Sequence, residues 1–459
     1  MNQSSLEGSR VAIIGLGESG AAAARLSFAK GGDTYVSDMR ADAKTRSRGT
    51  ELRALGVDVD EGRHDERRIE SADLVVVSPG IPPDVPVLSH LRKRGVGWIS
   101  ELEFAFRFFR APLVAVTGTN GKTTTAALTA HLMRAGGKTV GLGGNIGADY
   151  GHAASLLALT EPTPDWFVVE VSSFQLQCVD RFRPTVGVVT NLAPDHLDRY
   201  GSLEEYYSDK ANLFRNSGPD SKWVLPISPD VDRIAGEASG DRYRFSVDTV
   251  GESGAFLDGS WLTLKLGEST PVLESSDLPL LGRHNIENAL AALVVAGLAK
   301  VGTAAAAEGL RTFAPLPHRL ESVIEVKRVL WVNDSKATNV AATRSALESL
   351  DRPIVVLLGG VDKGESFTPL RRPLKEKARA AVVFGEAGDR IERELAGSTR
   401  LRRVAAGFES AVSTAAGLAE PGDILLLSPA TSSYDMFAGY QQRGDAFRAL
   451  ARSLTGRTH

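Results

Sequence analysis

Residues 113–125 read Leu-Val-Ala-Val-Thr-Gly-Thr-Asn-Gly-Lys-Thr-Thr-Thr. An apolar, β-branched run opens into glycines and then into a helical pattern, Thr124–Arg134. Strand, glycine turn and helix in that order begin a parallel α/β unit. Glycines let several N–H groups converge on one anion, and the helix N-terminus adds partial positive charge. Lys122 is spaced to bridge terminal phosphates and Thr123 to offer a hydroxyl to Mg²⁺. Val116 stands where the general G-x-x-x-x-G-K-[ST] pattern has its first glycine, which sets this loop apart from the common NTPase motif. The plainer reading, a glycine turn with a solvated lysine, leaves the Lys-Thr register unexplained.

The same strand signature recurs at Val11–Ile14, Leu74–Val77, Trp166–Val169, Val186–Thr190, Val329–Val332, Ile354–Leu358, Ala381–Phe384 and Ile424–Leu427. Continuous apolarity suits strands covered on both faces. Helical patterns such as Glu101–Phe109 and Asn285–Lys300 lie between them. The expectation is an α/β protein of parallel, doubly wound sheets. Glycine-rich turns after Ile14, Val116 and Leu358 each open a domain, giving 1–109, 110–316 and 317–459, with boundaries near Arg110–Pro112 and Pro315–His318. Residues 217–280, rich in Gly, Ser, Asp and Pro, read as a less regular part of the middle domain.

A net charge of −3 gives no reason to expect a nucleic-acid or membrane partner. One cysteine, Cys178, excludes an intrachain disulfide framework and fits a reducing, cytoplasmic compartment. The start, Met1-Asn-Gln-Ser-Ser-Leu-Glu-Gly, does not read as a signal peptide. No apolar run approaches the roughly 18–20 residues of a membrane helix; the longest, Ala289–Ala299, reads as a packed helix.

In parallel sheets ligands sit beyond the carboxyl ends of strands, so the residues just past each strand end matter most. Glu170, in Trp166-Phe-Val-Val-Glu170-Val-Ser-Ser-Phe-Gln175, is an acid beside the phosphate loop, suited to Mg²⁺ or to a polar strand end. His196 comes after the next strand and reads either as a metal ligand or as a hydrogen-bonded loop residue. Ser202-Leu-Glu-Glu205 reads as a capping box. Lys210, two turns on, reads from the residues alone as a solvated helix lysine. Gly15-Leu-Gly17-Glu18-Ser19-Gly20, with Asp38 roughly 20 residues on, is a G-x-G-x-x-G fingerprint that unaided suggests NAD. Lys336 and Lys363 come after strands and are either solvated charges or anion ligands.

Eight segments then occur in order: Gly118–Thr123, Gly144-Asn145-Ile-Gly147, Glu170–Gln175, Asp195-His-Leu-Asp198, Gly282–Asn288, Pro317-His-Arg319, Asn333–Asn339 and Gly359–Lys363. Together they resemble the Mur ligase family, over nearly the whole chain except residues 217–280. The resemblance implies a Rossmann-like N-terminal domain for a UDP-linked substrate, a central P-loop ATPase-like domain, and a Rossmann-like C-terminal domain. It implies an ADP-forming peptide synthase of bacterial cell-wall synthesis. On that resemblance, ATP would phosphorylate the carboxylate of UDP-N-acetylmuramoyl-L-alanine, and the amine of D-glutamate would attack the acyl phosphate.

By resemblance, Gly118, Thr119, Asn120, Gly121, Lys122, Thr123 and Thr124 hold the triphosphate. Asn285 and Asn288 lie on the adenine side, and Arg319 and Asp334 reach the nucleotide from the C-terminal domain. Thr123 and Glu170 belong to one Mg²⁺ site and His196 to a second, joined by Lys210 as a carbamate, against its reading as a solvated lysine. Lys122, Glu170, His196 and Lys210 carry the chemistry. Gly17, Glu18, Ser19, Asp38, Arg40, Ser78, Pro79, Gly80, Asn145 and His196 face the UDP-substrate. Lys336, Thr338, Lys363, Ser433, Tyr434 and Tyr440 face D-glutamate, whose two carboxylates need cationic and hydroxyl donors. Family members are usually monomers. The alternatives are a relative adding another amino acid, a non-catalytic nucleotide-binding relative, or an NAD-dependent oxidoreductase that leaves Lys122 without a role.

Overall fold

The computed structural model describes residues 5–147, 150–196 and 199–456. Residues 1–4 of the chain start, and Leu197 and Asp198 of the Asp-His-Leu-Asp segment, lie outside the described residues. Three mainly parallel sheets form three α/β domains, as expected.

The first sheet orders its strands Asp58–Glu61, Asp33–Asp38, Arg10–Ile14, Leu74–Val77 and Ile99–Ser100, all parallel. Its strand order reverses between Arg10–Ile14 and Leu74–Val77, where Rossmann-type sheets bind ligands. The second sheet has nine strands, with Leu113–Thr117 between Val186–Val189 and Trp166–Glu170. Seven run parallel from Val140–Gly144 to Gly254–Asp258. The last two, Trp261–Lys265 and Ser269–Glu274, turn antiparallel. The third sheet places Ile424–Leu427 between Val329–Asn333 and Ile354–Gly359, and only Glu321–Val326 runs antiparallel.

Residues 217–280 are more regular than their composition suggested, for they carry five strands of the central sheet. These strands lie toward one edge of that sheet and mix exposed with buried positions, so they lack the continuous apolar signature of the centre. A hairpin signal was present: Asp258 pairs with Trp261 across a two-residue turn whose Gly259 has φ +59°.

The central strand Leu113–Thr117 explains why its sequence is apolar throughout. Val114 and Val116 pack beneath the helices Lys122–Ala135 and Arg283–Leu298. Leu113 and Ala115 pack on the opposite face with Phe109 and Phe167. Each fully buried side chain of this size stabilises the fold by about 1.5–3 kcal/mol. The Ala289–Ala299 run lies in this layer, and among the described residues no helix is long and apolar enough to cross a membrane.

Helix Glu101–Phe106 joins the first two domains. Leu102 and Ala105 enter the central core, whereas Phe104 enters the N-terminal core. Two buried acids mark the joint. Glu103 Oε2 accepts the N–H groups of Asp180 (3.1 Å), Arg181 (3.0 Å) and Phe182 (2.9 Å), while Oε1 accepts Arg107 Nε at 3.0 Å. Glu101 Oε1 accepts the Ser155 N–H at 2.6 Å, but Oε2 is buried without a partner. Burial pushes the Glu101 pKa from 4.5 up to about 7. The folded chain therefore holds this proton to a higher pH than the unfolded chain, so stability falls as pH rises from about 4.5 through 7. Glu101→Gln should flatten this dependence and gain stability over wild type near pH 8. Urea unfolding of both proteins between about pH 5 and 8 checks this, and superimposable profiles would contradict it.

Candidate active site at the domain cleft

The turn after Leu113–Thr117 is built around two glycines that nothing larger can replace. Gly118 has φ +135°, and a Cβ there would lie 2.0 Å from Thr190 Oγ1. Gly121, at φ +80°, caps the helix Lys122–Ala135, and its Cβ would lie 2.3 Å from Asn288 Oδ1. Between them, Thr119 N donates to Asn191 O and Asn120 N to Asn191 Oδ1, both at 2.9 Å. Lys122 Nζ folds back over the loop, donating to Gly118 O at 3.1 Å and Thr119 O at 2.7 Å. Part of Lys122 stays open, yet desolvation lowers its pKa, helped by Arg319 and opposed by Glu170 and Asp195.

Thr123 is the joint of the site. Its Oγ1 donates to Glu170 Oε2 at 2.7 Å and accepts from Arg319 Nη2 at 2.8 Å. Arg319 comes from the segment entering the third domain, so this contact ties that domain to the phosphate loop. Asn145 Nδ2 reaches Glu170 Oε1 at 3.4 Å. Thr124 is buried just behind.

Lys210 is not solvated. It is 1% exposed, its Nζ donates to Gly118 O at 2.7 Å, and it lies 4.7 Å from the Tyr206 ring centroid. Helix Leu203–Ala211 ends against the loop, so a helix lysine becomes a cleft lysine. Burial, and after it the Lys122 charge, brings its pKa well below the usual lysine value. His196 lies on the same side, in a left-handed backbone conformation (φ +56°), edge-on to Phe174 and Tyr206. Tyr206 itself was missed from sequence. Its hydroxyl lies 3.2 Å from Thr119 Oγ1, and only its place on the buried face of helix Leu203–Ala211 hinted at this. The expected capping box at Ser202 is half formed: Ser202 accepts the Glu205 N–H, but the Glu205 carboxylate turns to Gly201 N. A full box instead starts the helix Ser173–Leu176, between Ser172 and Gln175.

A hydrogen-bonded chain leads from the loop helix to the next domain layer. Thr125 Oγ1 donates to Asn288 Oδ1 (3.1 Å), Asn288 Nδ2 to Asn285 Oδ1 (3.0 Å), and Asn285 Nδ2 to Leu281 O (2.7 Å). Asp334 turns toward its own domain, accepting Leu320 N at 3.3 Å and Ser428 Oγ at 2.8 Å, and burial raises its pKa to about 7.

In the first domain Asp38 is also turned inward. Buried to 2% exposure, it accepts Leu16 N at 2.8 Å and is gripped by Arg40 at 2.9 Å. Burial alone would raise its pKa, but the Arg40 and Leu16 hydrogen bonds outweigh it and the pKa is lowered. The acid thus shapes the glycine turn and aims Arg40. Gly17 caps the helix Glu18–Ala29, with Glu18 exposed and Ser19 half-buried beside it. A Cβ at Gly20 would lie 1.8 Å from Gly15 O, and Ser78 Oγ donates to that same oxygen at 3.3 Å. Pro79 and Gly80 continue from Ser78 toward the surface.

In the third domain Lys336 Nζ lies 4.2 Å from the Tyr440 ring centroid. Burial and the Arg319 charge lower its pKa to about 8, with Glu170, Lys122 and Lys363 also within electrostatic reach. Lys363 Nζ donates to Thr338 O at 3.0 Å, and Thr338 N to Lys336 O at 2.8 Å. Ser433 is buried, whereas Tyr434 is 74% exposed. One cleft therefore gathers Lys122, Thr123, Glu170, Lys210, Arg319 and Lys336 from two domains.

Known proteins match this arrangement along the chain. Residues 9–100 match the Mur ligase MurD-like N-terminal domain, 116–296 the Mur ligase middle domain, and 318–431 the Mur ligase glutamate ligase domain. The chain is 39% identical to a UDP-N-acetylmuramoylalanine--D-glutamate ligase of Acidobacterium capsulatum, covering 98% of each chain. It is 41% identical to the protein of that name from Salinibacter ruber, covering 97% of this chain and 98% of the other. Among solved structures, MurF from Acinetobacter baumannii aligns with a TM-score of 0.62 at 16% identity, covering 97% of this chain and 93% of that one. A pseudomurein peptide ligase type C from Methanothermus fervidus aligns at 0.59 and 21%, covering 97% and 100%. These two speak to the fold, and the full-length sequence relatives carry the rest: the chain belongs to the Mur ligase family.

Proposed function

We propose that this protein is an ATP-dependent, ADP-forming ligase that joins D-glutamate to UDP-N-acetylmuramoyl-L-alanine in peptidoglycan precursor synthesis. It works as a cytoplasmic monomer with domains at 1–109, 110–316 and 317–459. Full-length kinship at 39–41% identity with ligases of that name carries this reading.

The chemistry asks for what the cleft holds. A carboxylate is a poor acyl donor because its leaving group would be oxide. Transfer of the terminal phosphoryl group to a carboxylate oxygen makes the leaving group phosphate. The amine nitrogen of D-glutamate then attacks the acyl carbon, and the tetrahedral adduct collapses with loss of phosphate. The first step brings two anions together, so fixed cations must lower their repulsion. In this reading the N–H groups of 118–124 and Lys122 grip the triphosphate, and Arg319 closes on it from the third domain. Asn285 and Asn288 flank adenine, and Asp334 holds the segment that carries Arg319. Gly17, Glu18, Ser19, Asp38, Arg40, Ser78, Pro79 and Gly80 surround the UDP moiety, and Asn145 and His196 the muramoyl-alanine. Lys336, Thr338, Lys363, Ser433, Tyr434 and Tyr440 surround D-glutamate.

Among the described residues no group of three or more His, Cys, Asp or Glu side chains is arranged to hold a metal. Mg²⁺ takes one or two protein oxygens and fills its octahedron with phosphate and water. The Thr123 hydroxyl and Glu170 carboxylate, 2.7 Å apart, fit one such ion, and His196 with a carbamylated Lys210 would hold a second. When bound, Mg²⁺ supplies charge neutralisation between the carboxylate and the triphosphate. The depressed Lys210 pKa supports carbamylation, because the neutral amine is the form that adds CO₂, losing a proton to become an anion.

Two experiments test these assignments. Phosphate release with ATP, Mg²⁺ and UDP-N-acetylmuramoyl-L-alanine should require D-Glu, with L-Glu, L-Ala and diaminopimelate inactive. Lys122→Ala should lower this rate by at least about 100-fold with an unchanged unfolding midpoint. Full activity in that variant would refute the phosphate assignment. Lys210→Ala should be nearly inactive and partly restored by a short-chain carboxylate; wild-type turnover without the additive would remove Lys210 from the site.

A further inference from the structure

Arg443 has no exposed surface, and among the described residues no carboxylate forms an ion pair with it. Asp435 and Asp334 act on it only from beyond contact, and a buried guanidinium with no acid in contact is costly unless neutral oxygens satisfy it. They do: Nε donates to Ser335 Oγ at 3.0 Å, Nη2 to Ser335 O at 2.9 Å, and both Nη1 and Nη2 to Thr431 O at 3.2 Å. Ser335 Oγ in turn donates to Tyr440 O at 2.8 Å. A third loop closes over the fork. A Cβ at Gly360 would lie 2.0 Å from Ser432 O and 3.2 Å from Arg443 Nη1, and Val361 N donates to Ser432 O at 2.9 Å.

One side chain thus fastens the loops that leave strands Val329–Asn333 and Ile424–Leu427, and the loop that leaves Ile354–Gly359 is bonded to Ser432 next to Thr431. Those loops carry Lys336, Thr338, Lys363 and Ser433, and the helix that carries Arg443 begins at Tyr440, against which Lys336 rests. An apolar residue would fill this volume without the desolvation cost, and lysine could not span two carbonyls. The cation is kept where its fork sets the spacing of anion-binding loops. We propose that Arg443 is the positioning residue of the amino-acid pocket: its fork fixes Ser335 to Thr431, and so sets the spacing of Lys336 and Ser433 that admits a dicarboxylic amino acid. This rests on reading the third domain as the D-glutamate site.

Steady-state kinetics of the full chain tests it. Arg443→Lys should raise KM for D-glutamate by about 10-fold or more, as expected for losing hydrogen bonds from a charged group. KM for ATP and for UDP-N-acetylmuramoyl-L-alanine should stay within about twofold. Added guanidinium at low millimolar concentration should partly restore the D-glutamate KM of Arg443→Ala. A KM for D-glutamate that stays at the wild-type value, or three KM values rising together, would overturn the proposal. Should the Arg443 variants not fold, Ser335→Ala decides: it removes the Nε acceptor and should raise the same KM by about threefold, and no change would overturn the proposal. A wild type that uses a different amino acid moves the substrate assignment alone, and the same comparison with that amino acid still decides Arg443.

Discussion

Positive charge crowded together from two domains, with too few acids to balance it, shapes this site. Lys122, Lys210, Arg319 and Lys336 come from two domains, and each of the three lysines has its pKa lowered, first by burial and then by a neighbouring cation. The nearby acids, Glu170 and Asp195, offset only part of this charge. A fold tolerates such a cluster only where it is worth more with a polyanion bound than it costs empty. The glycine loop, the Thr123 joint and the inward Lys210 all lie where these cations meet.

The joints between domains around that point differ in kind. The first and central domains are wedged together by helix Glu101–Phe106, whose side chains enter both cores, and Glu103 takes three successive backbone N–H groups. The third domain meets the loop through Arg319, a single long side chain, at Thr123 Oγ1. The third domain also packs on the central one through Leu281, which lies against its core, and through Gly282, where a Cβ would lie 2.7 Å from Ser349 Oγ. Domain closure that completes a site also excludes water from it, which strengthens every charge interaction inside.

How much of the site was legible depended on whether a residue's role is local. Gly118, Gly121, Lys122 and Thr123 act through a turn of a few residues, so their spacing alone marks an anion site. Asp38 was found as the acid after a glycine fingerprint, but it closes the turn by holding Leu16 N and Arg40 rather than standing free. Asp334 was found by resemblance, yet it faces Ser428 and Leu320. Arg443 gave no signal and Tyr206 only its place on a buried helix face, because each matters through partners far away in sequence.

The sequence by itself determined three mainly parallel sheets and the loop that ends the central strand, since burial on both faces writes itself as unbroken apolar runs and a tight strand-to-helix turn as glycines. It left residues 217–280 obscure, because half-exposed edge strands carry a weaker pattern. Lys210 reads as solvated from its own neighbours and as a site residue only by resemblance; tertiary structure buries it against Gly118 O, seats Glu101 and Glu103 at one joint, and brings Arg319 to Thr123. A charge's solvation depends on what packs against it from elsewhere in the chain, and no local spacing records that.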